Sequence, residues 1–205
     1  MMLKARIVGV VFTVLLSACS QHVVLRDDFP EPIVSQLNQP VVVYIAPELR
    51  RYVHRYEPEQ GADWTIVFGA SQEKLFRSVF EGMFEQVTMV FSQDDIPDGA
   101  TVLTPVMRDF QFSTPGMSKT DYYEVWIKYS LKLTQGGDKP VVDWAFTAYG
   151  REEDSGRSAA GAMREASRRA MRDAAAAIVL NFLKQPAARK YFDKTTTVST
   201  GQTSP

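Results

Sequence analysis

Cysteine is nearly absent from this chain. Cys19 is the only one among 205 residues, which rules out a disulfide within the chain. Histidine is almost as scarce, because only His22 and His54 occur and neither belongs to a pair at metal-ligand spacing. A histidine-based triad or zinc site has little to draw on, so we expect no metal and no other cofactor. The stability of the folded part must come from a packed apolar core.

Long hydrophobic runs and an excess of positive charge are missing as well. The apolar run Ile7 to Leu16 is much shorter than the about 20 residues that a membrane-spanning helix needs. The chain has 23 basic and 24 acidic side chains, and removing residues 1–18 takes away two basic ones and leaves 21 against 24. This balance argues against nucleic acid as a partner, because such partners require a basic surface.

The amino-terminal segment has the pattern of a secretory signal. Lys4 and Arg6 precede the apolar run, and the small residues Ser17 and Ala18 follow it. A single cysteine then stands directly after these small residues. The pattern predicts a cleaved signal peptide over residues 1–18.

The residues Leu16-Ser17-Ala18-Cys19 resemble the lipobox of bacterial lipoproteins. In that family the cysteine sulfur receives a diacylglyceryl group, and the cysteine becomes the new amino terminus and carries fatty acids such as palmitate. The resemblance implies that Cys19 is lipidated. Because Ser20 and not aspartate follows, it also implies an outer-membrane location in which the protein faces the periplasm. Which leaflet holds the anchor is left open.

Composition divides the rest of the chain into three stretches. Residues 19–39 contain Pro30 and Pro32 among polar residues and predict an extended tether. Residues 40–192 are long enough for a single domain with its own core. Residues 193–205 are rich in Thr, Ser, Gly and Gln and predict a disordered tail.

Hydrophobic periodicity predicts an α+β fold for that domain. Apolar runs and alternation predict strands at Val41–Ile45, Trp64–Phe68, Val102–Phe112, Tyr123–Leu133 and Val141–Arg151. Three- and four-residue spacing predicts helices over Gln72–Val87, with Ser71 as N-cap, and Gly161–Lys184. We expect an antiparallel sheet of about four strands with two helices packed on it, in the order strand-helix-strand-strand-strand-helix. A ridge of alanines should let the second helix approach the sheet closely.

This order of elements, together with the lipidated start and the polar tail, resembles two groups of bacterial proteins. One is the lipopolysaccharide-assembly lipoproteins of the outer membrane, and the other is the auxiliary lipoproteins of ABC transport systems. The resemblance implies a small α+β domain that serves a larger envelope machine. It assigns no functional residue beyond Cys19.

Residues that resemble catalytic groups have simpler interpretations. Glu152, Glu153 and Asp154 are consecutive, whereas glycosidase carboxylates face each other across a bond about 5 to 10 Å apart, so they predict a solvated loop. His54 is interpreted as a surface side chain. The acids of the 94–98 loop are interpreted as turn residues and not as a metal site. We therefore expect no enzyme, and an envelope hydrolase using Glu152 or Asp154 stays a remote alternative.

Three features are candidates for binding. Arg164, Arg168 and Arg172 lie four residues apart and predict either a basic stripe for an anionic partner, such as lipopolysaccharide phosphates, or an ordinary solvated helix face. Met117 stands in the loop between two strands and is either a contact tip or part of a plain connection. Trp126 and Trp144 are candidates for an apolar groove between helix and sheet.

The leading hypothesis is a non-catalytic accessory lipoprotein that docks on an envelope transport or assembly complex through its sheet edge or helix faces. The alternative is a module that binds lipid or glycolipid in the groove of Trp126 and Trp144. The sequence leaves the identity of the envelope complex and the oligomeric state open.

Overall fold

A computed structural model describes residues 20–136, 140–156 and 158–200, with side chains as far as Lys194. The predicted signal peptide and Cys19 lie outside the described residues. The strands of the described part are β1 (Ser20–Val24), β2 (Val41–Tyr44), β3 (Val53–Tyr56), β4 (Asp63–Val67), β5 (Val87–Val90), β6 (Thr101–Ser113), β7 (Tyr122–Gln135) and β8 (Val142–Glu153). Its helices are α1 (Pro47–Arg50), α2 (Gly69–Met83), α3 (Pro115–Ser118), α4 (Ala159–Asn181) and α5 (Pro186–Thr200).

The strands form two mixed sheets. One has five strands in the order β5-β2-β6-β7-β8, and the other has three in the order β1-β4-β3. In the larger sheet β2 runs parallel to β5 and to β6, whereas β6, β7 and β8 are antiparallel. In the smaller sheet β1 is parallel to β4. The α+β class is therefore confirmed, but the single antiparallel sheet of about four strands, its two-helix complement and the predicted element order are wrong.

The long hairpins follow the alternation in the sequence. Residues of β7 from Tyr123 to Leu133 alternate between the core and the opposite face. β8 pairs with β7 in antiparallel register, as predicted, with Leu133 opposite Val142. β6 pairs along the other side of β7, and its register shifts between Met107 and Asp109, which marks a bulge.

One continuous core lies between two layers. The first layer is the five-stranded sheet, and the second consists of α2, α4 and the smaller sheet. Phe76 of α2 packs edge-on against Tyr129 of β7 at 5.7 Å between ring centroids. Trp64 of β4 contacts Phe112 of β6, which joins the smaller sheet to the same core. This packing buries six aromatic side chains almost completely: Phe68, Phe76, Phe80, Phe84, Tyr129 and Phe182.

The alanine ridge of α4 packs directly on the sheet, as the small side chains predict. Ala166 and Ala170 are fully buried. They lie over Gly150 of β8, where an added Cβ would overlap the Ala166 carbonyl oxygen and the Ala170 amide nitrogen and would lie 2.9 Å from the Arg169 carbonyl carbon. Gly150 therefore sets the distance between α4 and the sheet, because backbone meets backbone at this point.

The core also contains one deeply buried polar pair. The Tyr129 hydroxyl donates to Gln72 Oε1 at 2.9 Å, and both side chains are almost fully buried. Burial raises the pKa of Tyr129 far above its usual range, and the hydrogen bond to Gln72 offsets part of that shift. The phenol is therefore a fixed donor between α2 and β7.

Residues 20–39 do not form the predicted tether. β1 pairs with β4 over five residues, and Val23 and Leu25 are buried in the core. The following segment, residues 26–37, is a strap that runs along α2. Ser78 Oγ donates to the Phe29 carbonyl at 2.7 Å, and an added Cβ at Gly82 would lie 2.6 Å from Pro32 Cγ. The amino-terminal segment is thus part of the domain.

The remaining boundaries differ more modestly. α2 begins at Gly69, so Ser71 is not its N-cap; the buried Ser71 hydroxyl accepts a hydrogen bond from the Asp27 amide instead. α4 ends at Asn181 and is followed by a single 3-10 turn. α5 continues to Thr200, which contradicts the predicted disordered tail up to that residue. Residues 201–205 lie outside the described part of the chain.

Candidate interaction surfaces

The face of β7 and β8 that points away from the helices carries an ordered group of aromatic and charged side chains, which we call the aromatic face. Trp126 stands directly opposite Tyr149, with 5.5 Å between their ring centroids. The Arg151 guanidinium lies 4.9 Å above the ring of Tyr122. The Tyr149 hydroxyl donates to Glu124 at 2.6 Å. Each side chain of the face is thus held by a neighbour across the strands.

Tyr149 is the exposed centre of the aromatic face. Its side chain is 37% exposed although it is one of the larger aromatic residues of the sheet. Partial burial raises the pKa of its phenol, and the hydrogen bond to Glu124 raises that pKa further. The phenol is thus the donor of the hydrogen bond to Glu124. A pre-ordered aromatic surface of this kind is typical of protein contact sites.

Trp144 does not belong to this face. It pairs with Leu131, whose side chain points into the core, whereas Trp126 pairs with Tyr149 on the opposite side. The indole of Trp144 stacks on Phe146 at 4.5 Å and contacts Phe182. The groove predicted between Trp126 and Trp144 is therefore wrong, because the sheet itself separates the two side chains.

The predicted basic stripe on α4 is interrupted in the middle. Arg168 donates to Glu165 through two nitrogens, and its side chain is only 25% exposed. The hydrogen bond from Arg168 lowers the pKa of Glu165, although partial burial of that carboxyl opposes the shift. Arg164 lines a shallow cleft with Asp27, and Arg172 is exposed. Of the three arginines, only Arg164 and Arg172 present exposed charge.

Two of the side chains considered for catalysis, Glu152 and His54, are engaged in the fold, whereas Asp154 is exposed. Glu152 is buried and pairs with Arg169 at 2.8 Å, so it is not part of a solvated acidic loop as predicted. His54 is half-buried and packs on Phe110 at 4.7 Å, which corrects its assignment to the surface. Burial lowers the pKa of His54, and nearby Asp109 offsets part of that shift. Both groups serve packing and pairing within the domain.

The outer edge of β8 is covered by side chains of α4. Asp173 accepts a hydrogen bond from the Tyr149 amide at 2.9 Å. Arg169 donates to the Arg151 carbonyl, also at 2.9 Å. These contacts occupy edge groups that a partner strand would need. They argue against docking through this stretch of the sheet edge.

Met117 lies at one end of the domain, in the short helix α3 between β6 and β7. Its side chain is 48% exposed. It lines a cleft of about 430 Å³ together with Gln21 of β1, Pro58 and Gly61. Trp64 and Tyr123 form the apolar floor of the same cleft. The loop thus stands beside the point at which the chain enters the smaller sheet.

At the opposite end, the acidic 94–98 loop covers a second, smaller apolar cluster. The Ser92 hydroxyl accepts from the Asp94 amide and starts a 3-10 turn, as expected of a turn sequence. Val42, Val90 and Val102 are buried beneath the loop. In the described ranges no three His, Cys, Asp or Glu side chains cluster as metal ligands would. None of the helices within those ranges combines the length and the hydropathy that crossing a membrane requires.

No family model and no curated protein sequence matches this chain. Solved structures with a similar arrangement include a DUF330 protein from Xanthomonas campestris, at 17% identity and a TM-score of 0.49, covering 78% of this chain and 91% of that protein. A candidate homolog of a neuraminyllactose-binding hemagglutinin from Helicobacter pylori has 11% identity, a TM-score of 0.40 and coverage of 82% and 97%. A candidate lipoprotein from Caulobacter crescentus has 12% identity, a TM-score of 0.35 and coverage of 80% and 93%.

The sequence pattern indicated Trp126 but neither its partner Tyr149 nor the neighbouring pair of Tyr122 and Arg151. The signal was present in the β7–β8 hairpin. Trp126 interrupts the polar side of an alternating strand, and counting across the turn pairs it with an aromatic residue. The exact pairing required the length of the connecting turn, which alternation alone does not fix.

Proposed function

We propose that this chain is a non-catalytic lipoprotein, anchored in the outer membrane through Cys19 and facing the periplasm. In this role it acts as an accessory subunit of an envelope transport or assembly complex. The lipobox supports the anchor. The aromatic face supports the docking role, and it is the observation that carries the proposal.

The aromatic face favours docking because its side chains are already ordered. Trp126 and Tyr149 are already ordered by each other, and Glu124 and Arg151 hold the rim. Binding a partner there costs little side-chain entropy, because the rings need no rearrangement. Aromatic and arginine side chains also supply most of the energy at protein interfaces.

The engaged state of the polar groups supports a non-catalytic role. Glu152 is neutralised by Arg169, and the imidazole of His54 packs against aromatic rings. A general base must reach a substrate proton, and both side chains are instead committed to contacts inside the domain. The hydrolase alternative therefore loses Glu152 and retains only its other candidate, the exposed Asp154.

The lipid-binding alternative loses the groove on which it rested. Trp126 and Trp144 lie on opposite faces of the sheet, and α4 touches β8 backbone to backbone at Gly150. An acyl chain would need to separate this contact. We therefore favour a surface that binds protein over a cavity that binds lipid.

The test replaces the two central aromatic side chains of the aromatic face by alanine. The variant Trp126→Ala/Tyr149→Ala, expressed as the full chain with its signal, is compared with the unaltered protein in mild-detergent extracts of envelopes. We expect the unaltered protein to migrate on native gels as a stoichiometric complex and the variant to migrate as the isolated subunit. The anchor of both is verified by palmitate labelling, which Cys19→Ser should abolish.

The matched control is Val141→Ser, which changes an exposed side chain at the far end of the hairpin. This variant should retain the complex. Migration of the unaltered protein as an isolated subunit, or retention of the complex by the double alanine variant, would overturn the proposal. Absence of palmitate label on the unaltered protein would overturn the anchor.

A further inference from the structure

The described part of the chain begins in a strand. Ser20 is the first residue of β1 and stands opposite Asp63 of β4. Cys19 is the residue before it, so its Cα lies about 3.8 Å from that of Ser20. Whatever holds Cys19 therefore also holds this end of the smaller sheet.

Several loops converge at the same end of the molecule. The cleft beside β1 is lined by Gln21, by the 57–62 turn between β3 and β4, and by Met117 of α3. Asp154, which follows β8, and Ala159, which begins α4, also line it. We call this end of the domain, formed by residues 57–62, 114–119 and 153–156, the anchor end.

We propose that the anchor end rests on the membrane surface, with Met117 and the 57–62 turn in contact with lipid headgroups. This inference rests on the proposed lipidation of Cys19 and deepens it. A lipid attached one residue before β1 leaves the domain no freedom to stand away from the bilayer. The long strands of β7 and β8 then point away from the membrane.

The charge of the anchor end indicates which kind of membrane surface it contacts. Glu57, Glu59, Glu153 and Asp154 are exposed there, with Lys119 as an exposed cation. Such an excess of carboxylates is repelled by anionic headgroups. Contact is therefore expected with zwitterionic headgroups, made through the exposed Met117 and the small residues around it. Adding anionic lipid at low salt should weaken this contact.

The experiment exploits the lone cysteine, because a lipidated Cys19 has no free thiol. Met117→Cys then provides a single site for a fluorophore in the lipidated full chain, reconstituted into phosphatidylcholine and phosphatidylethanolamine vesicles that contain headgroup-nitroxide lipid. The control is Val141→Cys, since Val141 is 43% exposed and Met117 is 48% exposed. β7, with 14 residues, separates the two positions by about 40 Å.

We expect the nitroxide lipid to quench the label at position 117 several-fold more than the label at position 141. A second variant inserts roughly twenty Gly and Ser residues, beginning with Ser, after Cys19, which gives a mean reach of about 25 Å. This variant should still float with the vesicles, but the quenching at position 117 should fall towards that at position 141.

The outcomes separate the two proposals. A chain that is not acylated and does not float with vesicles overturns the anchor itself. A chain that floats but shows equal quenching at positions 117 and 141 overturns the orientation alone. Quenching at position 117 that is unchanged by the inserted residues, or that rises with anionic lipid at low salt, also overturns it.

Discussion

Tyr129 and Gln72 illustrate what single residues contribute to this fold. The alternation of β7 predicts that Tyr129 points inward, and it does. The sequence did not reveal that Gln72, 57 positions earlier, supplies its acceptor. A buried hydroxyl without a partner costs about 1 to 3 kcal/mol, so the pair constrains how α2 sits on the sheet. Polar partners of this kind cannot be predicted from periodicity, because they depend on how distant elements meet.

His54 predicts that the stability of the domain depends on pH, which can be tested. Its pKa in the folded chain is lowered, first of all by burial, whereas an unfolded chain has the ordinary value near 6.5. The unfolded state therefore binds the proton more tightly, and the free energy of unfolding falls as pH falls through 6.5 towards the folded pKa. We expect the urea midpoint to decrease between about pH 8 and pH 5.5.

The variant His54→Gln should reduce this decrease, because glutamine does not titrate. Arg55→Gln, which changes the next side chain on β3, controls for a substitution in the same strand, since arginine keeps its charge over the whole range. Urea titrations at several pH values provide the measurement. An equal slope in the His54→Gln protein and the unaltered protein would contradict the role assigned to His54.

At the scale of elements, the sequence predicted the long helices and strands and the two short apolar strands β2 and β4. The long helices α2 and α4 and the strands β6, β7 and β8 carry enough periodic residues to be recognised. β1, β3 and β5 have four or five residues each and exist because a partner strand pairs with them. Their parallel and antiparallel directions follow from chain topology, which local pattern does not contain.

Gly150 tests the contact between α4 and β8. Gly150→Ala forces its Cβ into the backbone of α4, and neither the Ala166 carbonyl nor the Ala170 amide can move without shifting the helix. We expect the free energy of unfolding to fall by about 1 to 3 kcal/mol or more, which is the usual cost of overpacking a core. Chemical denaturation followed by tryptophan fluorescence measures it.

Gly116→Ala is the matched control for that change. The nearest atom to an added Cβ at Gly116 is Thr114 Oγ1 at 3.8 Å, an ordinary contact. Its unfolding midpoint should stay close to that of the unaltered protein. Equal midpoints for Gly150→Ala and Gly116→Ala would mean that α4 packs less closely on the sheet than described.

At the scale of the whole molecule, the domain is larger than its composition suggests. The prolines and polar residues of 19–39 led to the prediction of a tether, yet this stretch contributes Val23, Leu25 and Phe29 to the core. Extended chain that lies against a helix has no periodicity of its own. Its role becomes visible only when the surface of α2 that it covers is known.

Removing this segment should therefore unfold the domain. A chain that begins at Pro40 loses three buried apolar side chains, each worth about 1.5 to 3 kcal/mol. That sum approaches the total stability of about 5 to 15 kcal/mol that a domain possesses. We expect the chain that begins at Ser20 to show a cooperative urea transition and the chain that begins at Pro40 to show none.

Two point variants of the strap refine the test. Phe29→Ala removes a side chain that is 9% exposed and should lower the unfolding midpoint clearly, whereas Ile33→Ala removes one that is fully exposed and should not. If the chain that begins at Pro40 unfolds cooperatively with the same urea midpoint as the longer chain, residues 20–39 are a tether after all and the prediction is wrong.

The covered edge of β8 has a consequence for crowded conditions. The unpaired backbone groups of an open edge strand can pair with a strand of an identical chain, and a high local concentration of molecules favours this pairing. Asp173 and Arg169 occupy backbone groups at Tyr149 and Arg151, so two copies must first break these contacts before their sheets can merge there. α4 thus protects this edge of the sheet against fibre-like self-association, whereas the aromatic face beside it is exposed.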